Sequence, residues 1–145
     1  MDRGDHYPLM VLNLKRKDWE IMRKHVEVNA PLEACGLLAG KNNWVEKVFL
    51  IENQAKSRVR FRMNPKEQLE AFKWIESNES DLIGVFHSHP AGPETVSATD
   101  IEEAAYPVAQ IIWSRTRGGW IARGFWIEHK QATEITLRVT HDEQP

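Results

Sequence analysis

The chain has 145 residues, 41% hydrophobic and 28% charged, with a formal net charge of −2 at pH 7. That composition fits one globular domain over residues 1–145, and the near balance of charge excludes a general electrostatic pull towards nucleic acid or an acidic membrane. The single cysteine, Cys35, excludes an intramolecular disulfide and a cysteine-cluster metal site, and no run reaches the roughly eighteen apolar residues of a membrane span.

Met1–His6 shows no basic segment leading into an apolar one, so no secretory signal is read and a cytoplasmic protein is expected. Leu9–Leu14 reads as a short strand. Asp18 then opens a helix whose stripe is Trp19, Met22 and Val26, fading at Asn29 before Pro31. The carboxylate of Glu33 precedes an apolar strand that contains Cys35 and closes at Gly40. Cys35, set inside that strand, reads as a small core residue and not as a nucleophile. Lys41-Asn42-Asn43 is a turn, and Trp44–Ile51 pairs back as a hairpin, ending near Asn53.

Residues 57–63 alternate strictly, which predicts a strand with Val59, Phe61 and Met63 on one face and Arg58, Arg60 and Arg62 on the other. Such an arginine stripe is ordinarily a solvated face; its functional alternative is a docking stripe for an acidic partner. Asn64-Pro65-Lys66-Glu67 is a helix start with an apolar stripe of Leu69, Phe72 and Ile75, ending at Ser77-Asn78. Leu82–Phe86 is a buried strand that runs into His87-Ser88-His89-Pro90. Ser97 opens a third helix with Ile101, Ala104 and Ala105 on its buried face, stopped at Tyr106-Pro107. Three strands follow at Ala109–Trp113, Trp120–Ile127 and Thr133–Val139, and the end of the chain, 139–145, is expected to fray. The tryptophans spread through these elements read as core and rim packing.

Two histidines at i and i+2 on a strand face the same side and can converge on one object, although such a pair taken alone is ordinarily two polar residues at a solvated strand mouth. With the carboxylate of Asp100 they form a three-ligand set that leaves a fourth position on zinc open for water, the layout of a catalytic site. Ser97-Ala98-Thr99-Asp100 is by itself only a helix-start pattern. The whole run resembles the JAMM motif of the JAMM/MPN zinc metalloproteases: His87-x-His89-Pro90, six residues, Ser97, two residues, Asp100. Glu33-Ala34-Cys35-Gly36 also matches the form in which that family carries its catalytic glutamate.

The resemblance implies a single-domain α/β fold of deaminase-like kind, a mixed, largely antiparallel sheet flanked by helices with zinc at one edge. It implies Zn2+ held by His87, His89 and Asp100, Glu33 as general acid/base, and Ser97 as donor to the oxyanion. If Ser97 and Asp100 both face the cleft in this way, neither side chain is expected to cap the helix. The implied activity is hydrolysis of a peptide or isopeptide bond at the C-terminal tail of a ubiquitin-like or sulfur-carrier protein. The alternative is a catalytically silent MPN-type scaffold domain, although such domains lack the ligands present here. A zinc nucleobase deaminase would need a Pro-Cys-x-x-Cys that a one-cysteine chain cannot supply. No nucleic-acid or membrane partner is expected, and oligomeric state is not legible.

Overall fold

A computed structural model describes residues 9–104 and 106–141. The elements run β1 (Val11–Lys15), α1 (Arg16–Asn29), β2 (Cys35–Lys41), β3 (Trp44–Ile51), α2 (Pro65–Ser77), β4 (Asp81–His89), α3 (Ala98–Glu102), β5 (Ala109–Thr116), β6 (Gly119–Glu128) and β7 (Gln131–Thr140). The fold is mixed α/β. Its strands follow the order β1-β3-β2-β4-β5-β6-β7, and β1 also pairs with β7, so the sheet closes into a barrel. Pairing is antiparallel at β2–β3, β2–β4, β5–β6 and β6–β7, and parallel at β1–β3, β1–β7 and β4–β5. The β1–β3 seam rests on one aligned pair, Asn13 with Trp44. Buried Asn13 reinforces it, donating its backbone N–H to the Asn43 carbonyl at 2.7 Å while its side-chain oxygen accepts from Arg138 of β7 at 3.3 Å.

Strands β2 and β4 are buried along nearly their whole length, as expected of strands covered on both faces. One face belongs to the main core, which includes Leu12, Leu14, Met22, Val26, Leu38, Phe86 and Trp113 and brings α1 into the packing. The other belongs to a smaller cluster of Cys35, Leu37, Ile51, Ala71, Val85 and Val108, which α2 covers. Cys35 is fully buried, with its thiol pushed up to about 12 chiefly by that burial, which fits the core reading. Gly36 allows the two strands this proximity, because a Cβ there would run into the Phe86 ring and the Phe49 carbonyl.

Several expectations are corrected. Helix α1 begins at Arg16, and Asp18 is a buried residue of its first turn. On α2 the buried positions are Ala71 and Ile75, while Leu69 is half exposed, because the helix lies on the sheet by its small-residue face. Helix α3 is one short turn with no buried residue. Ile101 is only partly covered, Ala104 lies beyond the helix end, and Ala105 falls outside the described residues. Strand β7 extends through 139 to Thr140, paired with Lys15 of β1, so fraying does not begin at 139; residues 142–145 fall outside the described part.

The largest departure is 57–63, which forms no strand. Its only ladder contact among the described residues is the bridge between Asn53 and Met63, and Val59 is 77% exposed. The segment is held instead by Asn53. That side chain donates to the carbonyls of Glu33 (2.9 Å) and Arg60 (3.1 Å) and accepts from the N–H groups of Ala55 (3.0 Å) and Arg62 (2.9 Å). One buried amide thus satisfies backbone groups of two loops. Replacing it would orphan several of them at about 1–3 kcal/mol each, partly relieved by water. Asn53→Ala is therefore expected to lose about 2–4 kcal/mol of stability, measured as a lowered denaturation midpoint with unchanged slope.

Candidate active site

The period of β4 sorts its end residues. Val85, His87 and His89 share the face of the smaller cluster, and Phe86 and Ser88 the face of the main core. His87 and His89 are almost wholly buried, and they sit at the end of an interior strand flanked by β2 and β5, not at a sheet edge. Antiparallel register sets Cys35 opposite His87 and so carries Glu33 towards the level of His89. Ser88, between the histidines, extends that pairing: it donates its N–H to the Ala34 carbonyl at 3.0 Å, and its hydroxyl accepts from the Ala34 N–H at 2.8 Å. Glu33 is further fixed by its N–H on the Ser57 carbonyl at 2.8 Å.

Asp100 comes from the other side, on the first turn of α3. The connecting loop turns at Gly92, whose φ of +81° suits glycine. The Pro93 carbonyl then accepts both from His89 Nδ1 at 2.9 Å and from the Ser114 hydroxyl at 3.0 Å. With Nδ1 on the Pro93 carbonyl, His89 turns Nε2 inward. There the two Nε2 atoms lie 3.2 Å apart, with Asp100 Oδ1 3.0 Å from His87 and Oδ2 3.0 Å from His89. Two imidazole nitrogens and a carboxylate, with ligand atoms all within 4.8 Å of one another, are a donor set in search of a cation. His87 Nδ1 is buried with no hydrogen-bond partner among the described residues, and the ring is stacked on Phe61 with centroids 4.6 Å apart.

The electrostatics agree. Burial opposes a charge on Asp100, yet hydrogen bonds from His87 and His89 hold its carboxyl well below the usual carboxylate range. Burial lowers His87. His89 is also opposed by burial but is raised overall, by Asp100, the Pro93 carbonyl and the charge of Glu33. Glu33 is 4% exposed, and its Oε1 has no partner among the described residues. Burial pushes its carboxyl up to about 8, a shift opposed by His89 and reinforced by Asp100. A buried carboxylic acid with a raised pKa beside residues that could hold a cation is the kind of perturbed group that marks chemistry.

Ser97 corrects an expectation. It and Asp100 form a full capping box: Ser97 Oγ accepts from the Asp100 N–H at 3.0 Å, and Asp100 Oδ2 accepts from the Ser97 N–H at 2.8 Å. Capping and facing the histidines are compatible, because a carboxylate oxygen has two lone pairs and the serine O–H remains free to donate. Ser97→Ala is therefore expected to destabilise, by about 1 kcal/mol, where an uncapped serine would have made it neutral or stabilising; thermal unfolding distinguishes these.

Sequence reasoning named Glu33, His87, His89, Ser97 and Asp100, and the fold brings them to one end of β4. It missed Ser88, Asn53, Phe61 and Ser114 as supporting residues. Ser88 alone carried a signal, since a small residue between two same-face ligands must point at the neighbouring backbone.

These features define a class: a mixed α/β fold whose interior strand presents two histidines to a carboxylate, next to a buried acid just ahead of the adjoining strand. The chain belongs to the family of prokaryotic homologs of the JAB domain, whose model matches residues 15–135. JAB/MPN domains are metal-dependent, and His87, His89 and Asp100 could bind a metal. Among similar proteins, a desampylase from Pyrococcus furiosus is 42% identical over 74 residues, covering 51% of this chain and 53% of that protein. The match thus spans about half the length of that relative. A probable TtuB-protein conjugate cleaving protease from Thermus thermophilus is 35% identical over 108 residues, 74% of this chain and 72% of that protein. A solution structure of a Desulfitobacterium hafniense protein superposes with a TM-score of 0.82 at 34% identity, covering 92% of this chain and 94% of that one.

Proposed function

We propose that this chain is a zinc-dependent metallopeptidase of deaminase-like fold that hydrolyses a peptide or isopeptide bond at the C-terminal tail of a ubiquitin-like or sulfur-carrier protein. The observation that carries the reading is the buried Glu33 carboxyl, its Oε1 without a partner among the described residues, beside the His87-His89-Asp100 cluster. The names of the Pyrococcus and Thermus relatives support it. Zinc suits a site of two imidazoles and one carboxylate, where it supplies Lewis acidity and makes hydroxide available near neutral pH.

Glu33 accepts a proton from water as the water oxygen bonds to the acyl carbon. It returns that proton to the nitrogen as the C–N bond breaks, and the second water proton follows, leaving a carboxylate on the carrier and a protonated amine. A positive charge at the histidines favours the ionised form of Glu33, which its burial alone would not. Ser97 donates its hydroxyl to the developing oxyanion; loss of one such donor costs roughly a hundred- to a thousandfold in rate. No helix among the described residues is long and apolar enough to cross a membrane, and we place the protein in the cytoplasm with such carriers.

The test is incubation of the purified protein with a ubiquitin-like carrier bearing a C-terminal amide adduct, with and without chelator. Release that stops with chelator and returns with zinc is expected. Release that is indifferent to chelator would remove the metal, and no release from any carrier would remove the substrate class.

A further inference from the structure

The hydrolytic chemistry gives Arg58, Arg60 and Arg62 no role. Because 57–63 is not a strand, its residues do not alternate: Arg60, Phe61, Arg62 and Met63 all line one cleft, and Arg58 does not. The cleft measures about 270 Å³ and ends against His87 and Asp100. That lies just below the range of roughly 300–1,000 Å³ of small-molecule pockets, a size for one residue and not for a stretch of chain.

Its chemistry is uneven in a way that suggests an occupant. Phe61, Met63, Val85 and Tyr106 give it apolar walls. On the floor, Gln110 of β5 sits beside Val85; it is 6% exposed, and its side chain has no hydrogen-bond partner among the described residues. Its amide opens onto the cleft, where it can both donate and accept. Gln68 donates to the Tyr106 hydroxyl at 2.9 Å, leaving the phenolic proton free to donate. At the rim stand Arg60 and Arg62, neither in an ion pair among the described residues, with Glu103 on the α3 side. Two guanidiniums against one carboxylate leave the rim net positive.

From this placement we infer that the cleft is the subsite for the leaving amine, and that it takes a single amino-acid residue whose free α-carboxylate is bound by Arg60 and Arg62. This rests on the hydrolytic reading above. A carboxylate anion beside the scissile nitrogen exists only when the amine component is one amino acid joined through its α-amine. A lysine side chain within a protein brings none. The leaving residue's side chain then occupies the apolar walls, with Gln110 and Tyr106 meeting a neutral polar group. The acidic rim residue Glu103 disfavours an acidic side chain. Hydrolysis proceeds as written: the water oxygen joins the acyl carbon, the C–N bond breaks, and the amino acid departs with a protonated amine and its carboxylate intact.

The experiment compares zinc-loaded protein on two substrates, a carrier joined through its C-terminus to a neutral amino acid and the same adduct with the amino acid's carboxylate amidated. The acid adduct is expected to have a KM lower by about tenfold or more, the worth of charge-assisted hydrogen bonds. Arg60→Gln/Arg62→Gln should raise KM for the acid adduct by a similar factor and bring the two substrates together. Arg58→Gln, outside the cleft, should leave the acid preference unchanged. Equal cleavage of acid and amide, or an equal loss on both in the double variant, would overturn the assignment and make the arginines a contact for the carrier's body. Hydrolysis of neither adduct, while a lysine-linked isopeptide is cleaved, also overturns it but spares the hydrolase. Hydrolysis of no conjugate removes the underlying reading and this inference with it.

Discussion

Glu33→Gln is expected to lower the hydrolytic rate by about 10²- to 10⁴-fold, the usual worth of a positioned general acid/base, while zinc stoichiometry stays unchanged. The amide retains the shape and burial of the acid but cannot accept and return the proton. In the metal-free protein the same substitution has a second, opposite effect on stability. Burial raises the Glu33 carboxyl from its ordinary 4.5 to about 8 in the folded state. Between those values the folded chain holds a proton that the unfolded chain has released, so stability falls as pH rises from 4.5 through about 8. Glu33→Gln removes that slope. Metal-free variant and wild type should unfold alike near pH 4, with the variant the more stable at pH 8. Thermal unfolding across the range tests this, and parallel curves would mean that the carboxyl is ionised throughout.

Asp100→Ala is expected to abolish metal retention and chelator-sensitive hydrolysis together. Asp100 does three things at once: each oxygen meets one histidine, and Oδ2 also accepts the Ser97 N–H. Alanine leaves two inward imidazole nitrogens 3.2 Å apart with no anion between them, and an uncapped first turn in α3. Removal should therefore also cost about 1–3 kcal/mol of stability in the metal-free protein. Asp100→Asn separates the roles, since its amide oxygen still accepts from Ser97 but carries no charge. The expected pattern is comparable loss of metal in both variants with stability largely kept in the asparagine form. Zinc content by elemental analysis and unfolding midpoints of the metal-free proteins read the two effects independently.

Much of the site was legible because its signals are local. The i, i+2 spacing of His87 and His89 needs only a strand, and strong hydrophobic bracketing supplied one. The hairpin of β2 and β3 was legible for the same reason, with a polar turn between two apolar runs. What escaped depended on distant pairing. Closure of the barrel rests on β1 lying parallel to both β3 and β7, and parallel neighbours far apart in sequence leave no turn to read. The alternation over 57–63 was a true pattern with no ladder to join, and Asn53 dictated its path from outside the segment. Leu69 fitted a helical stripe, yet the sheet accepted the Ala71 face, which only tertiary fit decides. Ser97 was misjudged by treating capping and a free hydroxyl donor as rivals, when one oxygen can accept from the Asp100 N–H and still donate.

Asn53 constrains how this protein can change over generations. The same amide ties the Glu33 backbone to the backbones of Arg60 and Arg62. A lineage that repositioned the arginine segment to suit a new substrate would pull on the backbone that carries the acid. New specificity is therefore more accessible by exchanging side chains at 60 to 63 on a fixed backbone than by inserting or deleting residues there. Loop length between 53 and 63 should drift less among working descendants than the identity of the residues it displays.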